Sequence, residues 1–442
     1  MGRSSIIYVI GLTLIVGLVL NNITRNSVSS MDTYSTYYGS TQVHNIAVSV
    51  ANVGTQYLLN YSVFPANFGT DFFGGHDSVM YFNNTPQPLW VTLRSVAWTN
   101  MTDQNGVIFR DTVEGVFKHV QFAKFSWFTE SEINGYVAPD GSNGPYHGAN
   151  DWKITGDSVY GPAHTNGRFH LDGTPYFDQK LTAALSAQLG PTGNPTYNGG
   201  YEWGVLEKRP SMAALQTNLT SAAMLSGGTG MFDQTSGMND VALTFLNDQV
   251  RVQIPPNGSM RDTTMAISAL APNGVIVVKN ADLRIKGTYN ADLTVAAFGS
   301  AGAATNKGNV WIDGDVVGKT NPATNPASTD MLGVVAGRMA YITEDASRNA
   351  SSVLNIQATV YCQSGELTAE NFWNIPVSGR VNLFGGVTQT TAGSLGLFNP
   401  GPPLQFLNGF AYSIRNDPRF DHQQPPYFPY SDSFEMVSWW EN

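Results

Sequence analysis

The first sixty residues constrain this chain more than any other part of it. Residues 4–20 (SSIIYVIGLTLIVGLVL) carry no charge and are mostly apolar, and no proline occurs before Pro65. A run of about 17 residues reaches the lower limit for a helix that crosses the hydrocarbon core of a membrane. Because water solvates such a surface unfavourably, the segment must be covered by lipid or by other protein.

The helical pattern continues beyond the apolar run. Apolar and aromatic residues recur mostly three or four residues apart, or at multiples of that spacing, at Ile23, Met31, Tyr34, Tyr38, Ile46, Val50, Val53 and Tyr57. The pattern predicts one membrane and assembly helix over residues 1–59, about 55 residues and roughly 80 Å long at about 1.5 Å per residue. The side chains expected to drive assembly are Ile6, Ile7, Val9, Ile10, Leu12, Leu14, Ile15 and Leu18.

A cleaved secretory signal is the competing interpretation of this segment. It would require small residues at a cleavage site, and residues 20–25 (LNNITR) offer none, while Ser27 and Ser29 are poor substitutes. The sequence therefore favours a segment that is uncleaved or is processed differently from a secretory signal.

Composition excludes several classes of protein. Charged residues make up 13% of the 442 residues, about half of the usual share of roughly 25%. Lys and Arg total 23 against 33 Asp and Glu, a net charge of −10, so the basic footprint of a nucleic-acid-binding protein is missing. Cys362 is the single cysteine, which rules out an internal disulfide framework and predicts a small buried hydrophobe.

The rest of the chain predicts β structure, with 45 glycines, 23 prolines and 12% aromatic residues pointing to a turn-dense body. Residues 60–135 predict a small antiparallel unit with a hairpin at residues 103–106, closed by an aromatic packing segment at 122–132. The fold class is thus α+β, mainly β: a long N-terminal hydrophobic helix followed by a β-rich body.

Within that body, residues 136–408 predict a parallel β-helix or solenoid with insertions, because short strands alternate with Asn, Asp and Gly turns. An antiparallel sandwich is the structural competitor. An insertion at about residues 186–240 contains a possible helix at Met212–Leu225. Residues 409–442 form a closing segment rich in proline and aromatic residues, ending in a strand.

Candidate chemistry is sparse, and no catalytic or cofactor-binding residue is predicted. Among seven histidines, His164 and His170 lie six residues apart on one predicted coil and are weak metal candidates. No HExxH, GxSxG or P-loop pattern occurs. Ca²⁺ is conceivable at acidic turns, since Asp282, Asp292, Asp313 and Asp315 supply carboxylates, but Asp also caps such turns structurally.

The chain resembles a known family at both ends. An apolar helix that runs into an amphipathic half with small residues at Ala47, Ala51 and Gly54 is similar to the N-terminal helix of type IV pilins and PilX-like pilins. Residues 417–420, 425–429 and 438–441 resemble the end of a PilX-associated domain of unknown function, and residues 164–167 and 308–317 resemble its body. The resemblance implies a pilin-like envelope protein without an active site.

The leading hypothesis is therefore a structural subunit of an extracellular pilus-like filament, stored in the inner membrane and polymerised with copies of itself by pilus assembly machinery. A minor, tip or priming pilin is the nearest alternative, favoured by the absence from the apolar run of the glutamate that pilins usually carry. Two other hypotheses are an adhesin on a single-pass anchor and a membrane-anchored β-helix protein that binds or cleaves surface polysaccharide through Trp373, Trp439 and Trp440.

Overall fold

The structure, a computed structural model, describes residues 3–60, 66–83, 90–103, 105–227, 229–235, 239–299, 306–399 and 405–441. Leu89, at the start of a predicted strand, and Gln104, in the predicted hairpin, lie outside the described residues. The chain divides into two compact units, Met1–Val120 with Asp432–Asn442, and Gln121–Ser431. The predicted fold class, a long N-terminal helix followed by a β-rich body, is confirmed.

The helices are α1 (Arg3–Asn60), α2 (Met212–Met224) and α3 (Ile267–Leu270). The strands from the first half of the chain are β1 (Phe68–Phe72), β2 (Gly75–Asn83), β3 (Trp90–Thr102), β4 (Ile108–Gln121), β5 (Trp127–Ser131), β6 (Trp152–Lys153), β7 (Ser158–Tyr160), β8 (Ala163–Thr165), β9 (His170–Leu171), β10 (Tyr176–Phe177), β11 (Leu181–Ala183), β12 (Gln188–Leu189), β13 (Thr196–Tyr197) and β14 (Tyr201–Trp203).

The strands from the second half are β15 (Met231–Asp233), β16 (Val241–Asn247), β17 (Gln249–Ile254), β18 (Arg261–Ala266), β19 (Val275–Lys279), β20 (Leu283–Tyr289), β21 (Asp292–Phe298), β22 (Val310–Gly318), β23 (Met331–Ala336), β24 (Ala340–Ile342), β25 (Val353–Cys362), β26 (Leu367–Ala369), β27 (Val377–Thr391), β28 (Gly396–Asn399), β29 (Gln405–Arg415) and β30 (Tyr430–Glu441).

The first unit places α1 against a five-stranded sheet in the order β1-β2-β3-β4-β30. Neighbouring strands from β1 to β4 pair antiparallel, as the alternating pattern predicts. The turn from β3 to β4 begins at Asp103, whose carbonyl accepts a hydrogen bond from the Gly106 amide at 3.0 Å. Gly106 has a φ of 77°, a backbone conformation that glycine adopts without steric cost.

The second unit is built mainly from parallel strands. One continuous parallel ladder runs β15-β19-β21-β23-β25-β27-β5-β8-β11-β14. A second runs β16-β20-β22-β25-β27-β29-β7-β10-β13. Antiparallel pairing in this unit is seen at β16-β17-β18 and at β28-β29. In the ladders, strands from residues 127–203 therefore follow strands from residues 353–415.

Register within the first ladder stacks apolar side chains into columns. One buried column consists of Ile276, Val295, Val334, Val360, Val387, Trp127 and Ala163, each paired with the next. Cys362 continues a neighbouring column after Ala297 and Ala336. Burial raises the pKa of its thiol to about 12, so the sequence-based prediction of a buried hydrophobe is confirmed.

The short helix predicted at residues 212–225 is also confirmed, as α2, which ends one residue earlier than expected. The Ser211 hydroxyl caps its N-terminus by accepting a hydrogen bond from the Ala214 amide at 3.2 Å. Its apolar face, which includes Leu215 and Leu219, is buried.

The buried guanidinium of Arg419 links the C-terminal part of the second unit to the loop that contains Ser328 and Asp330. Arg419 is 7% exposed, and its Nη2 lies 2.6 Å from an oxygen of Asp417. Its Nη1 donates to the carbonyls of Ser328 at 2.6 Å and Asp330 at 3.0 Å. Because its hydrogen-bond partners surround the charge, the guanidinium is satisfied without water.

We expect Arg419→Ala to lower the free energy of unfolding by about 3–5 kcal/mol, since it leaves the Asp417 carboxylate buried without a counter-charge. Arg251→Ala is the matched control, because it breaks an ion pair with Asp262 in which both side chains are exposed, and it should cost no more than about 1 kcal/mol. Urea unfolding of the two variants checks this, and equal losses would contradict it.

Candidate assembly helix

The C-terminal half of α1 is docked on the sheet of its own unit. Its buried positions recur every three or four residues, which places them on one face of the helix: Gly39, Val43, Ile46, Ala47, Val50, Ala51, Gly54 and Leu58. They pack against alternate residues of the sheet, among them Val79, Val91, Leu93 and Ala97. Two residues of the predicted stripe, Val53 and Tyr57, lie off this face and are 47% and 45% exposed.

Small residues let the helix backbone approach the sheet closely. A Cβ atom on Gly54 would lie 2.8 Å from Cδ1 of Leu93, and one on Gly39 would lie 2.6 Å from ring carbons of Phe109. The space at Gly54 also allows the Tyr81 hydroxyl to donate a hydrogen bond to the Gly54 carbonyl at 3.0 Å. Larger side chains at these two positions would therefore force the helix away from the sheet.

A buried carboxyl supports the same contact. The Ser95 hydroxyl lies 2.9 Å from the Ala47 carbonyl of α1 and 2.8 Å from Oδ2 of Asp77. A hydroxyl has one proton to donate, so both hydrogen bonds form together only when Asp77 is protonated and donates to Ser95. Burial raises the pKa of Asp77 to about 6, although the hydrogen bond with Ser95 opposes the increase.

Two further polar side chains, Gln42 and His44, make contacts along the docked half. The Gln42 side-chain amide donates to the Phe73 carbonyl at 2.7 Å. His44 places Nδ1 2.7 Å from a carboxylate oxygen of Asp111 and Nε2 3.4 Å from one of Glu441. These contacts fix the helix along its axis and in rotation, which apolar packing alone does less specifically.

The N-terminal half of α1 has no such cover. The predicted assembly residues Ile6, Ile7, Val9, Ile10, Leu12, Leu14, Ile15 and Leu18 are all between 56% and 70% exposed. Apolar exposure continues through Ile23, Met31, Tyr34 and Tyr38, and the rings of the two tyrosines stack at 6.4 Å. Tyr8, which was not predicted, is 80% exposed. The unbroken apolar run around it is the signal that would have included it.

Two threonine hydroxyls within this half donate hydrogen bonds to carbonyls of the helix itself. The Thr13 hydroxyl donates to the Val9 carbonyl at 2.5 Å, and the Thr24 hydroxyl donates to the Leu20 carbonyl at 2.8 Å. Hydroxyls bonded in this way can enter an apolar environment without losing a hydrogen bond. By length and composition, α1 is a helix that could cross a membrane.

The two histidines considered for metal binding belong to different sheets. His164 lies on β8 of the large sheet, with Nδ1 2.7 Å from the Thr182 hydroxyl and Nε2 2.9 Å from the Asn166 side-chain oxygen. Burial lowers its pKa to about 4. His170 lies on β9 of a three-stranded sheet, beside the ring of Trp152. The even spacing therefore does not place the pair on one face, because the chain turns between them.

The acidic residues predicted at turns have structural partners, and two of them, Asp313 and Asp315, lie within β22 and not in a turn. Arg284 holds Asp313 through Nη2 at 2.6 Å, and Asp282 accepts hydrogen bonds from the backbone and side chain of Asn309, both at 3.0 Å. Across the described parts of the chain, no group of three His, Cys, Asp or Glu side chains is arranged to hold a metal ion.

The other two of these carboxylates also lie at strands. Asp315 accepts a hydrogen bond from the Asn355 amide at 2.8 Å. Asp292 begins β21, and burial raises its pKa to about 7.

Comparison with known proteins identifies no family for this chain. No protein-family model matches the sequence, and no curated protein matches it. Among solved structures, the chain is similar to the competence-associated pilin ComZ from Thermus thermophilus, with 13% sequence identity over 92% of this chain and 97% of that one, and a TM-score of 0.34. A structural similarity at that TM-score does not support an inference about function.

We expect Gly54→Ala to weaken docking of the helix by about 1–3 kcal/mol, since its new Cβ would overlap Leu93. Gly11→Ala adds the same methyl group where nothing lies within 4 Å. This variant should leave docking unchanged and stabilise the helix by up to about 1 kcal/mol, because alanine has the higher helix propensity. Hydrogen exchange at residues 43–58 measures docking. Faster exchange in both variants, or in neither, would refute the close-approach argument.

The Asp77 carboxyl predicts a pH dependence. Its pKa is about 6 when folded and about 3.9 when unfolded, so the folded state holds the proton more tightly. Its stabilising contribution is complete below about pH 4, declines as pH rises, and is lost above about pH 6. Asp77→Asn, which resembles the protonated acid, should remove this decline.

Melting curves of wild type and Asp77→Asn between about pH 4 and pH 7 test this assignment. The difference between the two proteins should change across that range. Asp248→Asn, at an exposed carboxylate in the other unit, should follow the wild-type profile. A constant difference between wild type and Asp77→Asn would show that the carboxyl does not titrate there.

Proposed function

We propose that this chain is a structural subunit of an extracellular pilus-like filament, polymerised by bundling of the N-terminal half of α1 with the β body outside. One observation carries the proposal: α1 is a single helix whose C-terminal half is docked on its own sheet while apolar side chains cover its N-terminal half and are exposed. The docked half holds the exposed half in a defined direction, as a repeating contact between copies requires.

Burial of the exposed half is the driving force in this proposal. Fully burying one large apolar side chain contributes about 1.5–3 kcal/mol, and the exposed set contains many such side chains. In a membrane-anchored precursor in the cell envelope, the segment between Arg3 and Arg25 would lie in the bilayer, because about 20 residues span its roughly 30 Å core. In the filament, copies of the same helix would replace the lipid.

Assembly would propagate through head-to-tail contacts. A contact between two different surfaces of one subunit repeats without closing and generates a helical polymer. The partners in this proposal are copies of the chain, inner-membrane lipid before assembly, and pilus assembly machinery, with no nucleic acid. The parallel ladders of the second unit support the further proposal that this body is a β-solenoid. No catalytic role is assigned to it.

A minor or priming pilin shares the observation on α1. Its distinguishing property is abundance: a major subunit would dominate protein sheared from the cell surface, whereas a minor one would be a trace component. A membrane-anchored adhesin would instead give monomers in detergent and no fibres. Of the tryptophans considered for glycan binding, Trp440 is 54% exposed and Trp373 packs edge-on against Tyr136 at 4.7 Å.

We expect Leu14→Asp to abolish filaments, because Leu14 is 61% exposed in the middle of the apolar segment and a charge there must be desolvated on bundling. Leu14→Met, which keeps the side chain apolar, should assemble normally. Negative-stain microscopy of sheared surface material scores the fibres, and circular dichroism checks the β body.

Membrane fractionation locates the step that fails. A charge at the centre of a membrane-spanning helix disfavours insertion by about 2.5–3.5 kcal/mol. The Leu14→Asp variant could therefore fail to insert into the membrane, or insert and then fail to bundle. Fibres of wild-type length and number from Leu14→Asp would rule out the bundling mechanism.

A further inference from the structure

The second unit contains a cleft that plays no part in the assembly proposal. Its volume is about 450 Å³, within the range of roughly 300–1,000 Å³ typical of small-molecule sites. Segments distant in sequence contribute to its walls, among them Asn134, Asp172, Pro191, Phe372, residues 393–397 and Tyr412. A concave site assembled from so many segments is fixed by the fold and not by one mobile loop.

Aromatic and apolar side chains line part of the cleft. Trp152 is partly exposed there, and Tyr146, 41% exposed, lies with its ring centroid 5.9 Å from that of Phe372. Leu397 belongs to the same lining. Partly exposed aromatic rings offer flat apolar faces, which the C–H faces of sugar rings contact favourably.

Carboxylates also line the cleft, and hydrogen bonds hold two of them, Asp157 and Asp172, in place. The Ile154 amide donates to Oδ2 of Asp157 at 2.8 Å. Oδ1 of Asp172 accepts from the amide of Thr192 at 2.9 Å and from its hydroxyl at 2.7 Å. Within the described part of the chain, no group donates to the second oxygen of either carboxylate, so each can accept a hydrogen bond from a ligand.

The charge balance of the cleft selects among ligands. Asp151, also in the lining, is paired with Lys153, which is buried and also lies 3.6 Å from Glu132. Among the residues that the structure describes, the lining thus offers carboxylates to a ligand and no Lys or Arg side chain. Acidic sugars and phosphates would be repelled, whereas hydroxyl groups, which donate to carboxylates, would be accepted.

From this combination we infer that the cleft binds pyranose units of a neutral or amino-bearing glycan, with Trp152 against the ring face and Asp157 and Asp172 accepting hydrogen bonds from its hydroxyls. This inference is independent of filament assembly, because all of the groups lie within the second unit of one chain. It gives the β body a recognition role in addition to any structural one.

The test uses the full chain in detergent micelles and saturation-transfer NMR. The probes are cellotetraose, mannotetraose, chitotetraose and the glucosamine tetramer, with trigalacturonate as the acidic comparison. We expect transfer to the ring protons of at least one of the first four at about 10 mM or below, and none to trigalacturonate. No transfer to any of the four would overturn the inference, as would stronger binding of trigalacturonate.

Variants locate the binding site. Trp152→Ala should weaken binding of the responding probe about tenfold or more, and Asp157→Asn should weaken it severalfold. Tyr201→Ala is the matched control, since it removes an aromatic ring that is 54% exposed outside the lining, and should leave binding unchanged.

A cleft-filling variant, Leu397→Trp, keeps the test decisive if Trp152→Ala fails to fold. It should abolish binding while the melting temperature stays near that of wild type. Undiminished binding in folded Leu397→Trp or folded Trp152→Ala would overturn the assignment to this cleft.

Discussion

The contact between the C-terminal half of α1 and its sheet is the constraint on which the functional argument depends. An isolated apolar helix in water would collapse onto any apolar surface within reach, its own body included. Here the docked residues 43–58 fix the axis, and the helix continues past the sheet because nothing breaks its hydrogen bonds. The apolar half is consequently held away from its own sheet and is available to lipid or to other copies.

Close approach and specific polar contacts act together at that interface. Gly39 and Gly54 permit the helix to lie where bulkier residues would prevent it, and the Tyr81 and Ser95 hydroxyls bond to helix carbonyls that already take part in helical hydrogen bonds. Such contacts add little to stability individually, about 0.5–1.5 kcal/mol each. Their value lies in excluding other rotations of the helix, which apolar packing alone would tolerate.

The second unit shows how a chain with few charges stabilises a large β body. Its columns of buried residues repeat from strand to strand, so each strand covers the apolar side chains of the one before it. The ladder joins β27 to β5 through the pair Val387 and Trp127. Its buried cations Arg419 and Lys153 are each paired with a carboxylate, which avoids the cost of an isolated charge.

The sequence alone was sufficient for features that depend on local periodicity. The unbroken apolar run and the absence of proline determined α1, and alternation determined β3, β4 and β30. The bounds of the four predicted regions and the assembly residues stay predictions. The periodicity did not identify the face of the helix that docks, since Val53 and Tyr57 fit the helical spacing but lie off that face and are about half exposed.

Tertiary structure alone decided which distant residues meet. Strand-like runs at residues 127–131 and 381–388 carry no local mark of their pairing, because parallel ladders are set by packing between segments far apart in the chain. For the same reason the sequence put His164 and His170 on one face, and the fold put them on separate sheets. The sequence likewise did not indicate that Trp152, Asp157 and Asp172 line one cleft with Phe372 and Leu397. Local sequence determines how each segment is shaped, and burial of the assembled core determines which segments become neighbours.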